Sequence, residues 1–572
     1  MVQFLIIALW GAVFLIAFKF VRSIIVARRQ GQWEKSFGAE GARRLSSVAM
    51  RGSGQAIDAE IDALENEQRQ RAVLRRPPAV HGSAHWASRQ EADADHLLKH
   101  ASLQDNAGFL PFGVFMEPDD NIPDTMLQVL WNGKGHALTV CPSRKGKGIT
   151  QVIPTLLTYP GSVLVIDPKG ENYELTAEYR RELGPVFRLD PFGEWTDCFN
   201  PLHFVKDGDD ARVIADLLLP PAEVESEAGE HFRSAAVNLV STVMLHMVRT
   251  LPAEARTISE LRQLLALPAT SEVEGEKSLF DELIDEMAKS DDVQVRHGAE
   301  GWLKAHAKTR GNVYTSLDTK LATFDSPGMT RLTKRSDFDF EILKNAPATI
   351  YLTLPINKLD AYYPFLRLMV GSALEAMYRR LGEKSVPVLF LLDEFATLKH
   401  MPKVVSALSN IAGFGVRLWM FFQNVAQIAE HYPKTGGAIL AETEIKTFYG
   451  TQDHETARLI SEYLGDRTVA WESFSSGINA GHASQMGLQG IGGGSSSAGS
   501  TSGTSVQLQG RPLLTPDEVL KGLKDRSPSK ICMAPAITFV DGLKVKTMRV
   551  PYFKQTRLAV RVPGSGVALG KV

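Results

Sequence analysis

The chain has 572 residues, 44% hydrophobic and 22% charged, a length beyond what one ordinary hydrophobic core serves, so two or more units are expected. Its formal charge of -2 excludes a whole-protein basic signature, so any contact with nucleic acid has to come from local patches or a ring-shaped assembly. Three widely spaced cysteines, Cys141, Cys198 and Cys532, make neither a disulfide framework nor a metal cluster.

Residues 4–18 carry no polar side chain, and 20–26 extend the run past Lys19 and Arg22, whose aliphatic stems can snorkel. This predicts one slightly short membrane span, 1–26. Lys19, Arg22, Arg28, Arg29, Lys35, Arg43, Arg44 and Arg51 then face only Glu34 and Glu40, which places everything after the span in the cytoplasm. The alternatives are a buried soluble helix and a cleaved signal peptide, the latter disfavoured because the basic flank lies on the wrong side. Residues 27–80 are charged and alanine-rich, with a helix expected over 56–74, and read as a juxtamembrane stalk.

From 81 the chain enters a predicted α/β unit through His81-Gly-Ser-Ala-His-Trp-Ala87. Short apolar runs at 136–140 and 162–166 flank a predicted helix at 149–157, a β-α-β pattern with parallel strands. Between the first strand and the helix stands Cys141-Pro-Ser-Arg-Lys-Gly-Lys-Gly148. This is a phosphate-loop pattern with two departures: Cys141 replaces the usual first glycine, and Gly148 replaces the usual Ser or Thr that binds magnesium. Lys147 is placed to set its ammonium between phosphates, while the backbone around Pro142, Ser143, Arg144, Lys145, Gly146, Gly148, Ile149 and Thr150 forms the cradle. Thr150 could lend the missing hydroxyl, and the Cys141 thiol would lie beside bound phosphate, open to alkylation. An ordinary Lys-Gly turn is the plain alternative.

Asp167-Pro-Lys-Gly-Glu171 closes the next strand, where Asp167 or Lys169 could face the nucleotide, although turn formation accounts for these residues almost as well. Residues 200–337 then change character to amphipathic stretches at 209–219, 229–250, 259–267, 278–289 and 297–324, an all-alpha domain inserted into the core and separating its first part, 81–199, from its second, 338–572. Strand-like runs resume at 348–354, 386–392, 415–422 and 445–450, with a crossover helix over 362–380.

Val388-Leu-Phe-Leu-Leu-Asp-Glu394 is an apolar strand ending in adjacent carboxylates, Asp393 suited to hold magnesium and Glu394 to polarise water. Gln423, closing another strand, could bond that water, or simply cap the strand. Arg310 and Arg417 are weighed as fingers supplied to a neighbouring subunit, against ordinary salt-bridging roles. The 14 histidines show no ligand spacing beside a carboxylate, which supports no catalytic metal other than magnesium. Residues 475–510, with ten glycines and nine serines and no charged side chain, are expected to form a flexible loop or lid.

With these positions in hand, the chain resembles the type IV secretion coupling proteins, the TraG/TraD family of conjugation ATPases, from the span to about Tyr552. Six pieces in order carry the likeness: His81 to Ala87, Pro142 to Gly148, Asp167 to Asn172, Leu392-Asp-Glu-Phe395, Phe422-Gln-Asn424 and Arg511-Pro-Leu-Leu-Thr-Pro-Asp-Glu518. Gly-Lys-Gly is common in this family at the place of Gly148. The resemblance implies a RecA-like P-loop ATPase core with an inserted all-alpha domain and an N-terminal transmembrane helix, assembled as a hexamer on the bacterial inner membrane. It implies ATP and Mg2+ as cofactors, with Lys147 on phosphate, Asp393 on magnesium and Glu394 on water. The implied partners are relaxase and relaxosome proteins, single-stranded DNA, and the inner-membrane channel proteins and ATPases of the secretion system. Many members begin with two spans, whereas this chain begins at or inside the second. A substrate-docking adaptor with weak hydrolysis and a structural membrane protein with a relic fold are the competing expectations.

Overall fold

The computed structural model describes residues 2–99, 108–119, 127–221, 226–270, 276–380, 385–480, 498–523 and 535–563. The chain divides into two compact units, Met1–His85 with Leu464–Thr515, and Trp86–Tyr463 with Pro516–Val572.

In the first unit a helix, α1, spans Val2–Arg51 but reverses at Gly38, where φ 72° and ψ 177° break the helical path, a backbone state glycine tolerates best. The reversal is why Val26 and Trp33 pack with Ala42, Leu45 and Ala49, and with Leu64 of α2 (Gly54–Arg75). Arg44 ties the bundle to α2 through Glu60 at 2.8 Å and Glu67 at 3.0 Å. Helix α1 is long and apolar enough to cross a membrane, yet the apolar run does not stay free as far as residue 26. Arg22 donates through Nε to the Ala49 carbonyl at 2.5 Å and Val26 is buried in the bundle, so its last turn belongs to the stalk. The glycine- and serine-rich stretch also differs from expectation. Its described flanks are strands, Asp466–Ala480 paired antiparallel with Ala498–Pro512 from Asp466↔Pro512 to Ala480↔Ala498, and residues 481–497 lie outside the described set. A Ser/Gly/Thr chain without charge has nothing to oppose a backbone ladder once Val469, Trp471, Val506 and Leu508 start it.

The second unit is built on a twelve-stranded sheet. In chain order its first ten strands are β1 (Leu98–Lys99), β2 (Leu110–Phe115), β3 (Gln128–Trp131), β4 (His136–Val140), β5 (Val163–Ile166), β6 (Val186–Leu189), β7 (Thr349–Leu352), β8 (Val388–Leu392), β9 (Val416–Phe422) and β10 (Thr443–Phe448). With the ribbon strands above as β11 and β12, the last two are β13 (Pro535–Val540) and β14 (Leu543–Met548). Seven strands in the order β10-β4-β9-β8-β5-β7-β6 run parallel. β5, β7, β8 and β9 are buried along their whole length, as parallel strands covered on both faces are. β13, β14, β2, β3 and β1 extend the sheet antiparallel beyond β10, an extension that the apolar runs did not announce.

Between the paired neighbours β6 and β7 the chain makes only helices among the described residues. Five of the α-helices begin where a side chain accepts a hydrogen bond from their first turn: Asp207, Ser226, Thr257, Ser278 and Asp292, each such cap worth about 1 kcal/mol. The amphipathic stretch at 297–324 falls on two helices, Val293–Lys304 and Ala307–Leu321, separated where Ala305 turns extended. Both pack on the long helix Glu227–Thr250, and Gly298 sits so close to Thr242 that a side chain there would collide.

Candidate nucleotide site

β4, β9, β8 and β5 are parallel neighbours, so their carboxyl ends share one edge of the sheet. Val140 pairs with Phe422 and Leu392 with Met420. This register brings the loop after β4, Gln423 after β9 and Asp393-Glu394 after β8 side by side. Lys147 Nζ lies 2.9 Å from Asp393 Oδ1 and 2.5 Å from Glu394 Oε1. On the far side of Glu394, Gln423 donates through Nε2 to Oε2 at 3.1 Å. Glu394 holds φ 57°, a left-handed state costly for a residue with a side chain, and its N–H reaches Asp393 Oδ1 at 3.1 Å. Four residues from three separate stretches of sequence thus form one connected cluster.

Its electrostatics follow from burial and charge. Burial works against the Lys147 ammonium, but the two carboxylates more than offset it and its pKa is raised. Burial likewise raises Asp393, against the pull of Lys147. For Glu394 burial is overcome by the Lys147 charge and the hydrogen bonds from Lys147 and Gln423, so its pKa falls and it stays ionised.

The loop itself turns through two left-handed residues, Arg144 at φ 62° and Gly146 at φ 86°. Pro142, Ser143 and Lys145 complete the turn, and Ile149 follows Gly148 in a π-helical turn, Gly148–Val152, that leads into the helix Ile153–Thr158. A Cβ built on Gly148 would meet nothing within 4 Å, so the missing hydroxyl is not forced by space. Thr150 is buried and donates its hydroxyl to the Gly146 carbonyl at 2.9 Å. It braces the helix start, which turns it away from the magnesium role expected of it.

Three other expectations change. Cys141 is 1% exposed against Tyr449 and Ala536, and burial pushes its thiol up to about 12, so it is a protonated wall of the loop and not an accessible nucleophile. Asp167 is also 1% exposed; its Oδ2 accepts the Tyr173 N–H at 2.8 Å and so starts the helix Glu171–Leu183. Burial raises its carboxyl to about 6, and the exposed Lys169 lies beside Glu171 at 4.0 Å. Arg417 is not brought to this edge. It stands near the amino end of β9, 2% exposed, donating to the carbonyls of Gly108 and Gly133 and stacked 4.8 Å over Trp131. A guanidinium spent on its own backbone cannot reach another subunit. Arg310 lies half-buried on the helix Ala307–Leu321.

One neighbour escaped sequence reasoning. Arg549, 1% exposed, follows β14, donates through Nη1 to the Lys145 carbonyl and stacks 4.1 Å over Tyr449. A single arginine in Met548-Arg-Val-Pro551 carries no signal of this.

A parallel sheet with a phosphate-type loop after β4 and a carboxylate pair ending β8 is the RecA-like class of α/β fold. The chain belongs to the type IV secretory system conjugative DNA transfer family, whose pattern matches residues 93–566. It is 30% identical over 415 residues to the protein VirD4 of Rhizobium radiobacter, covering 69% of this chain and 56% of that one. It is 26% identical over 519 residues to a conjugal transfer protein TraG of Escherichia coli, covering 84% and 78%. The match therefore spans little more than half the length of that VirD4. Among solved structures the fold is shared with the plasmid coupling protein TrwB in complex with an ATP analogue, at TM-score 0.55 and 14% identity over 82% of this chain and 92% of that one. The TrwB complex with ADP and Mg2+ gives TM-score 0.54 at 15% identity, over 74% and 87%.

Proposed function

We propose that this chain is an ATP-hydrolysing coupling protein of a type IV secretion system. On this reading the N-terminal helix anchors it in the bacterial inner membrane as a single pass, with the bulk of the chain cytoplasmic and assembled as a hexamer. It takes relaxase-bound single-stranded DNA, and in some cases protein substrates, from the relaxosome and delivers them to the inner-membrane channel proteins and ATPases of the apparatus. The helical segment between β6 and β7 is the cargo-facing domain.

The observation that carries this reading is the contact of Lys147 with both Asp393 and Glu394 in a chain of the conjugative DNA transfer family. The residues suit a magnesium nucleotide: one buried ammonium, two carboxylates, and a loop with left-handed turns and no side chain at Gly146 or Gly148 to obstruct phosphate. ATP supplies the transferable phosphoryl group. Lys147 would hold phosphate oxygens in place of its carboxylate partners. Asp393 would then be the residue to hold magnesium. Glu394 then loses the cation that keeps its pKa low and becomes the better acceptor for a proton from water, with Gln423 fixing its orientation. Arg310 is the finger candidate whose partial exposure permits action on a neighbour.

The test is hydrolysis by the full-length protein in detergent or nanodiscs, with and without single-stranded DNA. DNA-stimulated activity that depends on protein concentration and is lost in Lys147→Ala and Glu394→Gln is the expected result. Undiminished activity in both variants would overturn the proposal.

A further inference from the structure

One contact of the loop after β4, that of Lys145 with Arg549, comes from 404 residues further along the chain. Arg549 is placed by β14, whose last residues pair with β2 as Thr547↔Phe115 and Met548↔Val114. Its guanidinium is wedged between the Tyr449 ring, 4.1 Å away, and the Lys145 carbonyl, to which Nη1 donates. Tyr449 is itself fixed, its N–H on the Val140 carbonyl at 3.3 Å and its hydroxyl on Gln151 Oε1 at 3.2 Å. The stem of Lys145 is pressed on Gly450, where an added Cβ would come within 2.7 Å of Cγ. Lys145 is thus held by its carbonyl and by its side chain, between the two left-handed residues Arg144 and Gly146.

We propose that Arg549 is a positioning residue that sets the orientation of the Lys145–Gly146 peptide and thereby presents the Gly146 N–H to the nucleotide phosphate. In a trans peptide the carbonyl and the following N–H point in opposite directions. Anchoring the Lys145 carbonyl on Arg549 therefore turns the Gly146 N–H to the opposite side of the loop. Glycine at φ 86° has two peptide orientations of similar cost, so the loop needs an external donor to select one. The Cys141 position, where such loops usually carry glycine, is filled by a buried thiol against Tyr449, and Arg549 stacks on that same ring. The antiparallel extension of the sheet thus acquires a role at the nucleotide site that its distance in sequence conceals.

This inference rests on the reading of the loop as a nucleotide site, and the experiment separates the two. Full-length wild type, Lys147→Ala, Arg549→Met and Arg549→Lys are compared for binding of a fluorescent ATP analogue, for the kcat and KM of ATP hydrolysis, and for thermal midpoint without nucleotide. Loss of one backbone donor to a charged phosphate predicts that Arg549→Met raises KM and the dissociation constant about tenfold, with kcat changed less than about threefold. Arg549→Lys, which keeps a donor but not the planar stack on Tyr449, falls between. If wild type neither binds nor hydrolyses ATP, the nucleotide reading fails and takes this one with it. If wild type does both and Lys147→Ala does not, while the two Arg549 variants match wild type in KM and dissociation constant, only the role of Arg549 is overturned. The same holds if Arg549→Lys, folded with an unchanged midpoint, loses kcat and keeps KM. Should Arg549→Met not fold, the binding ratio of Arg549→Lys to wild type decides alone.

Discussion

β5 and β8 are adjacent, wholly buried and apolar, and each delivers an aspartate to the same edge of the sheet, Asp167 and Asp393. The two strand ends nevertheless do different things. Burial raises both carboxyls, but Asp393 has a cation in contact, Lys147 at 2.9 Å, while Asp167 accepts the N–H of Tyr173 at the start of a helix. One charge is balanced by a group that can leave when a phosphate arrives. The other is balanced by fixed peptide dipoles and has nowhere to go. An apolar strand ending in aspartate marks where buried charge sits; its partner decides whether that charge is chemistry or architecture.

The strongest way to break this contrast is to remove one carboxylate charge at each strand end without removing the shape. Glu394→Gln, beside Asp393, is expected to lower ATP hydrolysis about a thousandfold, the range for losing a positioned general base, with nucleotide binding retained. Asp167→Asn keeps an oxygen for the Tyr173 N–H and is expected to hydrolyse ATP within about twofold of wild type. Turnover assays under saturating ATP decide it. Equal losses in the two variants would erase the distinction between the strand ends.

A smaller effect separates them by pH. The folded pKa of Asp167 is about 6, above the ordinary 3.8, so the folded protein holds this proton more tightly than the unfolded chain. The stabilisation is therefore full below 3.8 and is lost as pH rises through 6, a swing of about 3 kcal/mol at 1.36 kcal/mol per pKa unit. Asp167→Asn should lack it. Thermal midpoints of wild type minus variant, taken from pH 4 to 7, should fall with rising pH; a flat difference would place the Asp167 carboxyl in a more solvated setting than its 1% exposure implies.

Much of this edge was legible because each part has a local signature. β5, β8 and β9 are short apolar runs, and Lys147, Asp393 and Glu394 are the residue types phosphate chemistry needs. The helices between β6 and β7 announce themselves through amphipathic runs such as 209–219 and 278–289. What escaped is what depends on distant pairing. β14 joins β2 through Thr547↔Phe115, and the buried threonines Thr447, Thr538 and Thr547, linked through their hydroxyls, dilute the apolar pattern that would have marked the extension. Arg549 inherits that obscurity. Arg417, open in the sequence between a finger and an ordinary structural role, takes the structural one, absorbed by Trp131 and two carbonyls. The uncharged glycine- and serine-rich stretch reads as loop by composition, yet composition says nothing of the backbone ladder that its described flanks, up to 480 and from 498, make.

The smallest expected effect sharpens what Asp393 contributes. Gly148 occupies the place where a hydroxyl would assist a magnesium ion, and a Cβ there would meet nothing within 4 Å. Gly148→Ser should therefore fold as wild type does. If Asp393 already supplies the decisive anionic oxygen once Lys147 has left it, a neutral hydroxyl adds little, and the magnesium concentration for half-maximal hydrolysis should fall only about threefold. The titration is run at fixed ATP on both proteins, with Asp393→Asn as the reference for loss. A drop of a hundredfold or more in Gly148→Ser would mean that the wild-type ion is barely held, and that Asp393 resembles Asp167 more closely than its contact with Lys147 suggests.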